Sequence, residues 1–273
     1  IGGIPEDVAI SQDGTQVYVT GYTQATANLQ VPFIRAFNIV NNQISDTEAW
    51  DSWDFSASAV EGQSLGADSS GIQITIAQDG NLYFLGRTDG GTNVFQREPN
   101  AIGTAEAGIV NIDTYTNFSN TGSGSFTFYA QIDPSNGDVI KGQYLLTRLS
   151  AGGGNSYSPG AITVDGEGNV YVGGTAAASL PDRANQQING NPVAGYSGGD
   201  VALFSTSIDL GTRNFWTPFT TNSGTSGSNG SVVGVATGEG FQVLLATAEQ
   251  PGELFAENGA TPLGGNDIYL AVV

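Results

Sequence analysis

The stretch from Gly160 to Thr175, GAITVDGEGNVYVGGT, decides the fold. On both sides of its centre, apolar residues alternate with small or polar ones, and this period-two pattern is typical of a half-buried β-strand. The centre itself is rich in Asp, Gly and Asn, which supply the positive-φ conformations that a tight turn requires. The stretch therefore predicts an antiparallel β-hairpin.

The same pattern occurs four times along the chain. The other copies are DVAISQDGTQVYVTGYT at residues 7–23, GIQITIAQDGNLYFLGRT at 71–88 and SVVGVATGEGFQVLLAT at 231–247. Successive copies start about 64, 89 and 71 residues apart. Self-similarity of this kind indicates a repeat architecture, in which each repeat is one supersecondary unit.

Two more alternating runs follow each of the first three hairpins, and one follows the fourth. The third runs lie at residues 31–40, 125–133, 200–209 and 267–273, and the fourth runs at 48–55, 140–149 and 213–221. Four antiparallel strands per repeat make up a propeller blade. We therefore predict an all-β chain, residues 1–273, that forms a single β-propeller domain. Its four-stranded antiparallel blades are expected near residues 5–56, 70–150, 158–222 and 230–273.

The fourth predicted blade has no fourth run, and this leaves two alternatives. Either the propeller has four blades with an incomplete last one, or the chain is part of a larger propeller. Because a bare strand edge promotes association, we expect an assembly contact or a longer parent protein to cover it. Variable stretches separate the second and third runs. The longest, residues 89–124, contains Ile109–Ile112 and is expected to hold an extra hairpin.

The composition excludes several classes of function. Cys, Met and His are absent from the 273 residues, so thiol nucleophiles, zinc–thiolate sites and imidazole-based triads cannot form. Seven basic against 26 acidic residues give a net charge of −19, which argues against nucleic acid and anionic membranes as partners. No apolar run is long enough to predict a transmembrane helix. The start at Ile1, without a signal peptide, predicts a processed product or an excised domain.

The third repeat carries a resemblance to a known family. Residues 164–181, VDGEGNVYVGGTAAASLP, followed by residues 195–209, GYSGGDVALFSTSID, resemble the bacterial β-propeller repeat of the SBBP type. The resemblance implies a propeller from a secreted or surface protein, in a family whose members often have no known activity. We therefore expect a non-enzymatic extracellular or cell-surface module that acts as a scaffold or in adhesion. Its expected partners are other protein subunits or extracellular polysaccharide.

The turns between strands suggest a cation site as one alternative. Only oxygen ligands are available, and carboxylates with backbone carbonyls and water suit calcium. The candidate ligands are Asp79, Asp165, Asn169, Asp133 and Asp138. The other alternative is plain turn chemistry, because Asp, Asn and Gly are the residues that such turns demand in any case. No other cofactor is predicted.

Aromatic and acidic residues leave two further functions open. Trp50, Trp53 and Trp216 lie on predicted outer strands, where they could stack on sugars in a carbohydrate-binding module or fill the gaps between blades. A pair of loop carboxylates could also run glycoside hydrolysis without histidine. The candidate acids, none of them marked by a motif, are Asp89, Glu98, Glu106, Asp182, Glu253 and Glu257.

Overall fold

The computed structural model describes residues 2–119, 124–188, 190–193, 199–219, 230–248 and 267–273. Within these ranges the chain consists of antiparallel β-sheets, so the all-β prediction is confirmed. Regular helix is limited there to one four-residue α-helix and two short 3-10 turns. None of the described helices has the length and apolar character needed to cross a bilayer.

Four larger sheets, which we call blades 1 to 4, follow one another along the chain. Blade 1 contains β1 (Ile4–Ile10), β2 (Gln16–Thr26), β3 (Leu29–Val40) and β4 (Gln43–Ser52), each paired with the next. Helix α1 (Ala57–Val60) leads to blade 2. Blade 2 begins with β5 (Ser69–Ile76) and β6 (Leu82–Asp89). A small hairpin of β7 (Arg97–Glu98) and β8 (Ala101–Ala105) follows, and β9 (Ser125–Ile132) and β10 (Val139–Leu145) complete blade 2.

The second half of the chain repeats this order. A two-stranded link of β11 (Thr147–Arg148) and β12 (Gly154–Asn155) leads into β13 (Tyr157–Val164) and β14 (Val170–Ala176) of blade 3. The pair β15 (Gln187–Ile188) and β16 (Asn191–Pro192) precedes β17 (Asp200–Thr206) and β18 (Arg213–Pro218), which complete blade 3. Blade 4 contains β19 (Gly230–Gly238), β20 (Phe241–Ala248) and β21 (Asp267–Val272).

One irregularity recurs in the first strand of every blade. The register shifts by one residue at Glu6, Ile72, Gly160 and Val233. A β-bulge of this kind bends the strand and fixes its register. Counting from the bulge therefore defines equivalent positions in the four blades. In blades 1 to 3, the second strand carries a glycine opposite the residue that precedes the bulge. At Gly21, one of these glycines, a Cβ atom would lie 2.0 Å from the Ile4 carbonyl oxygen.

The apolar core lies between the faces of successive blades. Ile34 and Trp53 pack with Phe84 and Phe128 between blades 1 and 2. A second cluster, which includes Tyr129 and Phe204, fills the space between blades 2 and 3, and a third packs blade 3 against blade 4. Stacking of consecutive sheets through their faces is the packing that a propeller requires.

A hydrogen bond between blades recurs at equivalent positions. The Ile74 amide donates to Asp7 Oδ2 over 3.0 Å, and the Ile162 amide donates to Gln73 Oε1 over 2.8 Å. Counted from the bulge, Asp7 is equivalent to Gln73 and Ile74 to Ile162. The repeat thus preserves a polar contact between neighbouring blades as well as their apolar packing.

The long insertion of blade 2 contains the extra hairpin that was expected within residues 89–124. The hairpin is formed by β7 and β8, and the stretch around Ile109–Ile112 lies outside it. Gly142 of β10 instead donates to the Gly108 carbonyl over 3.0 Å and accepts from the Val110 amide over 2.7 Å. This part of the insertion covers the outer edge of blade 2, which would otherwise expose unpaired backbone groups.

Candidate functional site

The five candidate calcium ligands lie in three separate turns. Asp79 lies in the β5–β6 turn, Asp165 and Asn169 lie in the β13–β14 turn, and Asp133 and Asp138 flank the β9–β10 turn. The structure brings Asp165 and Asn169 together, since Asn169 Nδ2 donates to Asp165 Oδ2 over 2.9 Å. Among the residues with described positions, no three acidic side chains group as a metal site would require.

Hydrogen bonds within the turns engage these carboxylates. Asp79 accepts from the amide and side chain of Asn81 over 2.9 and 2.8 Å. Asp133 Oδ1 accepts from the Ser135 amide over 2.8 Å, and Asp138 Oδ2 accepts from Asn136 Nδ2 over 2.6 Å. Bonds to an Asp side chain from two residues further on are typical of Asx turns. This geometry matches the turn-chemistry alternative, and calcium binding stays a prediction.

In each of two turns, the turn aspartate accepts a hydrogen bond from a tyrosine of the strand that follows. The Tyr171 hydroxyl donates to Asp165 Oδ2 over 2.8 Å, and the Tyr83 hydroxyl donates to Asp79 Oδ2 over 3.3 Å. Burial acts to raise the pKa of the Asp165 carboxyl, but the hydrogen bonds from Asn169 and Tyr171 hold it below its usual value. The sequence contains a signal for this contact, a tyrosine at the same position of the second strand in three repeats: Tyr18, Tyr83 and Tyr171.

The tryptophans serve the packing between blades. Trp53 is fully buried, and its ring lies 5.4 Å from Phe84 and 5.2 Å from Phe95, centroid to centroid. Trp216 packs edge-on against Phe204 at 4.9 Å. Trp50 of blade 1 donates from Nε1 to the Pro134 carbonyl of blade 2 over 2.9 Å. These contacts favour the gap-filling alternative over stacking of the indole rings on sugars.

One cavity lies beside the β7–β8 hairpin, and we call it the Glu106 pocket. It has a volume of about 450 Å³. Its lining combines polar side chains with two aromatic rings: Thr92, Gln96, Arg97, Ala105, Glu106, Ile109, Phe118 and Tyr144. Ligand-binding pockets usually have a mostly apolar lining with a few polar groups that face the ligand.

Glu106 is the acid that lines this pocket. Its Oε1 accepts from the Gly108 amide over 2.6 Å, whereas its Oε2 is buried without a hydrogen-bond partner among the described residues. Burial raises the pKa of the Glu106 carboxyl, and the charge of Glu98 raises it further. Arg97 Nε is buried and equally unpartnered within the described part of the chain. Sequence reasoning named Glu98 and Glu106 but gave no reason to pair them.

The other candidate acids are dispersed. Asp89 ends β6, where its amide donates to the Asp68 carbonyl over 2.9 Å. Asp182 lies after blade 3's second strand, in the left-handed region at φ 50°. Glu253 and Glu257 lie outside the described residues. Of the acids proposed for glycoside hydrolysis, only Glu98 and Glu106 interact in the described structure.

A second cavity, the Trp216 pocket, lies in blade 3 between the connection from β14 to β17 and the outer strand β18. Its volume is about 330 Å³. It is lined by Pro181, Asp182, Gln186, Gln187, Ile188, Val193, Arg213, Phe215, Trp216 and Thr217. No local motif marks Gln186 or Arg213 as site residues, because the two come together only when β18 packs beside the connection between β14 and β17.

The comparisons with known proteins agree with the repeat that the sequence indicates. Residues 146–181 match the family model described as beta-propeller repeat, SBBP, which confirms the resemblance for this segment of the chain. The matched segment runs from the end of blade 2 through the β13–β14 hairpin. A search of curated proteins finds no match.

Several solved structures show distant similarity. One is the GH43B protein of a Bacteroides ovatus xyloglucan PUL, at 15% identity and a TM-score of 0.41, covering 100% of this chain and 39% of that one. A Pseudomonas aeruginosa periplasmic gluconolactonase has 12% identity and a TM-score of 0.37, with 99% and 74% covered. A puromycin hydrolase has 12% identity and a TM-score of 0.39, with 90% and 25% covered. The chain thus spans a quarter of the puromycin hydrolase and about two fifths of the GH43B protein.

Proposed function

We propose that the chain is a non-catalytic scaffold segment of an extracellular protein, and that it assembles by packing blade against blade. The partner is a second copy of the chain, whose blade 1 packs on blade 4. The extracellular location rests on the resemblance to a repeat whose members are mostly secreted or surface proteins. The assembly rests on the two end faces of the row of blades.

The observation that carries the proposal is the exposed apolar face of blade 4. Leu270 is 62% exposed, although the equivalent residues Ile34, Tyr129 and Leu203 are fully buried against the next blade. Its neighbours Ile268 and Val272 are 79% and 68% exposed. Contiguous apolar surface of this kind marks an interaction site.

Blade 1 presents the complementary face. Val8 is 58% exposed, whereas its equivalents Ile74 and Ile162 are 2% and 1% exposed because the preceding blade covers them. Ile10, on the same face, is also 58% exposed. In the described part of the chain, blade 1 and blade 4 thus each expose an apolar face, and a second copy that packs blade 1 on blade 4 would bury both. Such head-to-tail contacts close into rings when the rotation between the subunits allows it.

Sedimentation of the chain and two variants tests this proposal. We expect species at twice the 28.1-kDa mass or above, and we expect Leu270→Asp or Val8→Asp to shift them to monomer, because each buries an unpaired charge in the contact. Leu149→Asp is the control, since Leu149 is similarly exposed but lies in the β11–β12 turn. A wild-type chain that remains monomeric up to about 100 μM, or a dimer that both end-face variants leave intact, would contradict the proposal.

A second candidate function follows from the Glu106 pocket. A carboxyl with a raised pKa suits a general acid, and glycoside hydrolysis needs such an acid with a second carboxylate. If the chain is a carbohydrate-active enzyme, Glu106→Gln abolishes the cleavage of a polysaccharide panel, whereas the control Glu61→Gln on the surface leaves it unchanged. Cleavage that persists in Glu106→Gln would remove this candidate.

A further inference from the structure

Three residues that line the Trp216 pocket each carry an unpartnered buried polar atom. Trp216 Nε1, Arg213 Nε and Gln186 Oε1 are each buried without a hydrogen-bond partner in the described ranges. The other two indoles behave differently, since Trp50 Nε1 donates to Pro134 and Trp53 Nε1 donates to the Arg97 carbonyl over 3.1 Å. Buried donors and acceptors are almost always partnered. Three exceptions on one cavity indicate groups that a ligand completes.

The charges around the pocket favour a neutral ligand. Arg213 already forms an ion pair with Asp113 through Nη2, and its guanidinium lies 5.6 Å from the Trp216 ring centroid. Its positive charge is therefore matched without a ligand. The Asp182 carboxylate also lines the cavity, and it would repel an anion. The free groups are two donors and one acceptor, and a hydroxyl group can satisfy either kind.

The walls of the pocket hold these groups in place. Gln186 Nε2 donates to the Trp216 carbonyl over 2.6 Å and to the Pro181 carbonyl over 3.1 Å, so the amide is oriented with Oε1 left free. The Trp216 ring is 3% exposed and packs edge-on against Tyr157 at 5.3 Å. Such fixed side chains lose little entropy when a ligand binds. Phe215 and Ile188 add apolar surface to the lining.

We propose that the Trp216 pocket binds a neutral saccharide residue. The sugar oxygens accept from Trp216 Nε1 and Arg213 Nε, and a sugar hydroxyl donates to Gln186 Oε1. The apolar C–H face of the ring lies against Phe215 and Ile188. A cavity of about 330 Å³ is at the small end of ligand sites, a size that suits one sugar ring with its substituents. This site is independent of the end faces that carry the scaffold proposal.

Saturation-transfer NMR and tryptophan fluorescence test the site with glucose, galactose, mannose, xylose and N-acetylglucosamine as probes. We expect at least one of these sugars to bind at about millimolar concentration. Trp216→Phe, which keeps an aromatic ring but removes the indole N–H, should weaken binding about five-fold, the usual effect of one lost hydrogen bond. Arg213→Lys, which keeps the charge opposite Asp113 but removes Nε, should weaken it by a similar factor.

Trp50→Phe is the matched control, because Trp50 lies between blades 1 and 2 and its removal should leave sugar binding unchanged. Glucuronate is the anionic probe and should bind more weakly than glucose. The proposal is overturned if no probe binds at about 50 mM. It is equally overturned if Trp216→Phe and Arg213→Lys, both shown to be folded by circular dichroism, bind the sugar as the unmodified chain does.

Discussion

Tyr171 and Asp165 join a hairpin turn to the middle of blade 3. The hydroxyl donates to Asp165 Oδ2 over 2.8 Å. Burial, with the nearby Asp165 carboxylate, raises the pKa of Tyr171 to about 12 from 10.0. Since the folded chain favours the neutral hydroxyl, its contribution to stability is complete below pH 10 and is lost as the pH rises towards 12.

Replacing Tyr171 by Phe should lower the free energy of unfolding by about 1 kcal/mol at neutral pH, because one hydrogen bond to a carboxylate is lost. The variant should also lose less stability than the unmodified chain between pH 10 and 12. Urea unfolding at several pH values measures both effects. Tyr22→Phe is the control, since the structure gives the Tyr22 hydroxyl no partner in its described part. Identical alkaline losses in all three proteins would show that the bond contributes nothing.

Gly21 is a second residue with a defined structural demand. A Cβ atom there would lie 2.0 Å from the Ile4 carbonyl oxygen and 2.9 Å from Pro5 Cα, both backbone atoms beside the bulge. We expect Gly21→Ala to destabilise the chain by about 2 kcal/mol or more, the usual effect of overpacking. Thermal unfolding measures it. Gly103→Ala should be neutral, because nothing lies within 4 Å of its Cβ position, and equal midpoints for the two variants would refute the clash.

Among the elements, the blade 2 insertion packs on the core through the buried ring of Phe95, beside several other contacts. Phe95 is fully buried and stacks on Phe128 with centroids 4.4 Å apart and planes 11° apart. Phe95→Ala should lower the free energy of unfolding by about 3–5 kcal/mol and expose Arg97 to trypsin. Phe95→Leu should cause a smaller loss of unfolding free energy and leave Arg97 better protected from trypsin. Unchanged trypsin resistance at Arg97 in Phe95→Ala would show that other contacts hold the insertion.

The turns are the elements in which calcium binding is predicted. A cation bound there would raise the free energy of unfolding by about 2.7 kcal/mol at a hundredfold excess over Kd. Asp165→Asn and Asp133→Asn should then remove that increase. Melting curves in calcium, in magnesium and in EDTA measure it. Identical midpoints in the three conditions would leave these turns with hydrogen bonding alone.

The sequence predicted the strands well because their signals are local. Alternation and turn residues placed β13 and β14 within a few residues, since both depend on neighbours along the chain. The extra hairpin of the blade 2 insertion was predicted, but its position was not. Ile109 has a strand-like pattern and, among the described residues, forms an isolated bridge with Gly142 of a distant strand. The Trp216 pocket was not predicted, since Gln186 and Arg213 carry no local motif and meet only through tertiary packing.

For the whole molecule, we propose that the row of blades continues from one copy to the next, with blade 4 of one copy packed against blade 1 of another. The same stacking that buries Ile34 between blades 1 and 2 would then bury Leu270 between copies. Added salt should not weaken such an assembly, because the contact is apolar and salt screens the repulsion between copies that each carry a net charge of −19.

Disulfide trapping probes the contact between copies, because the chain contains no cysteine of its own. Val8→Cys and Leu270→Cys are made as separate single variants, mixed in equal amounts and oxidised under mild conditions. We expect the mixture to form a disulfide between the two variants much faster than either variant forms a disulfide with itself. Equal rates in the mixture and in the separate samples, or no disulfide at all, would contradict it.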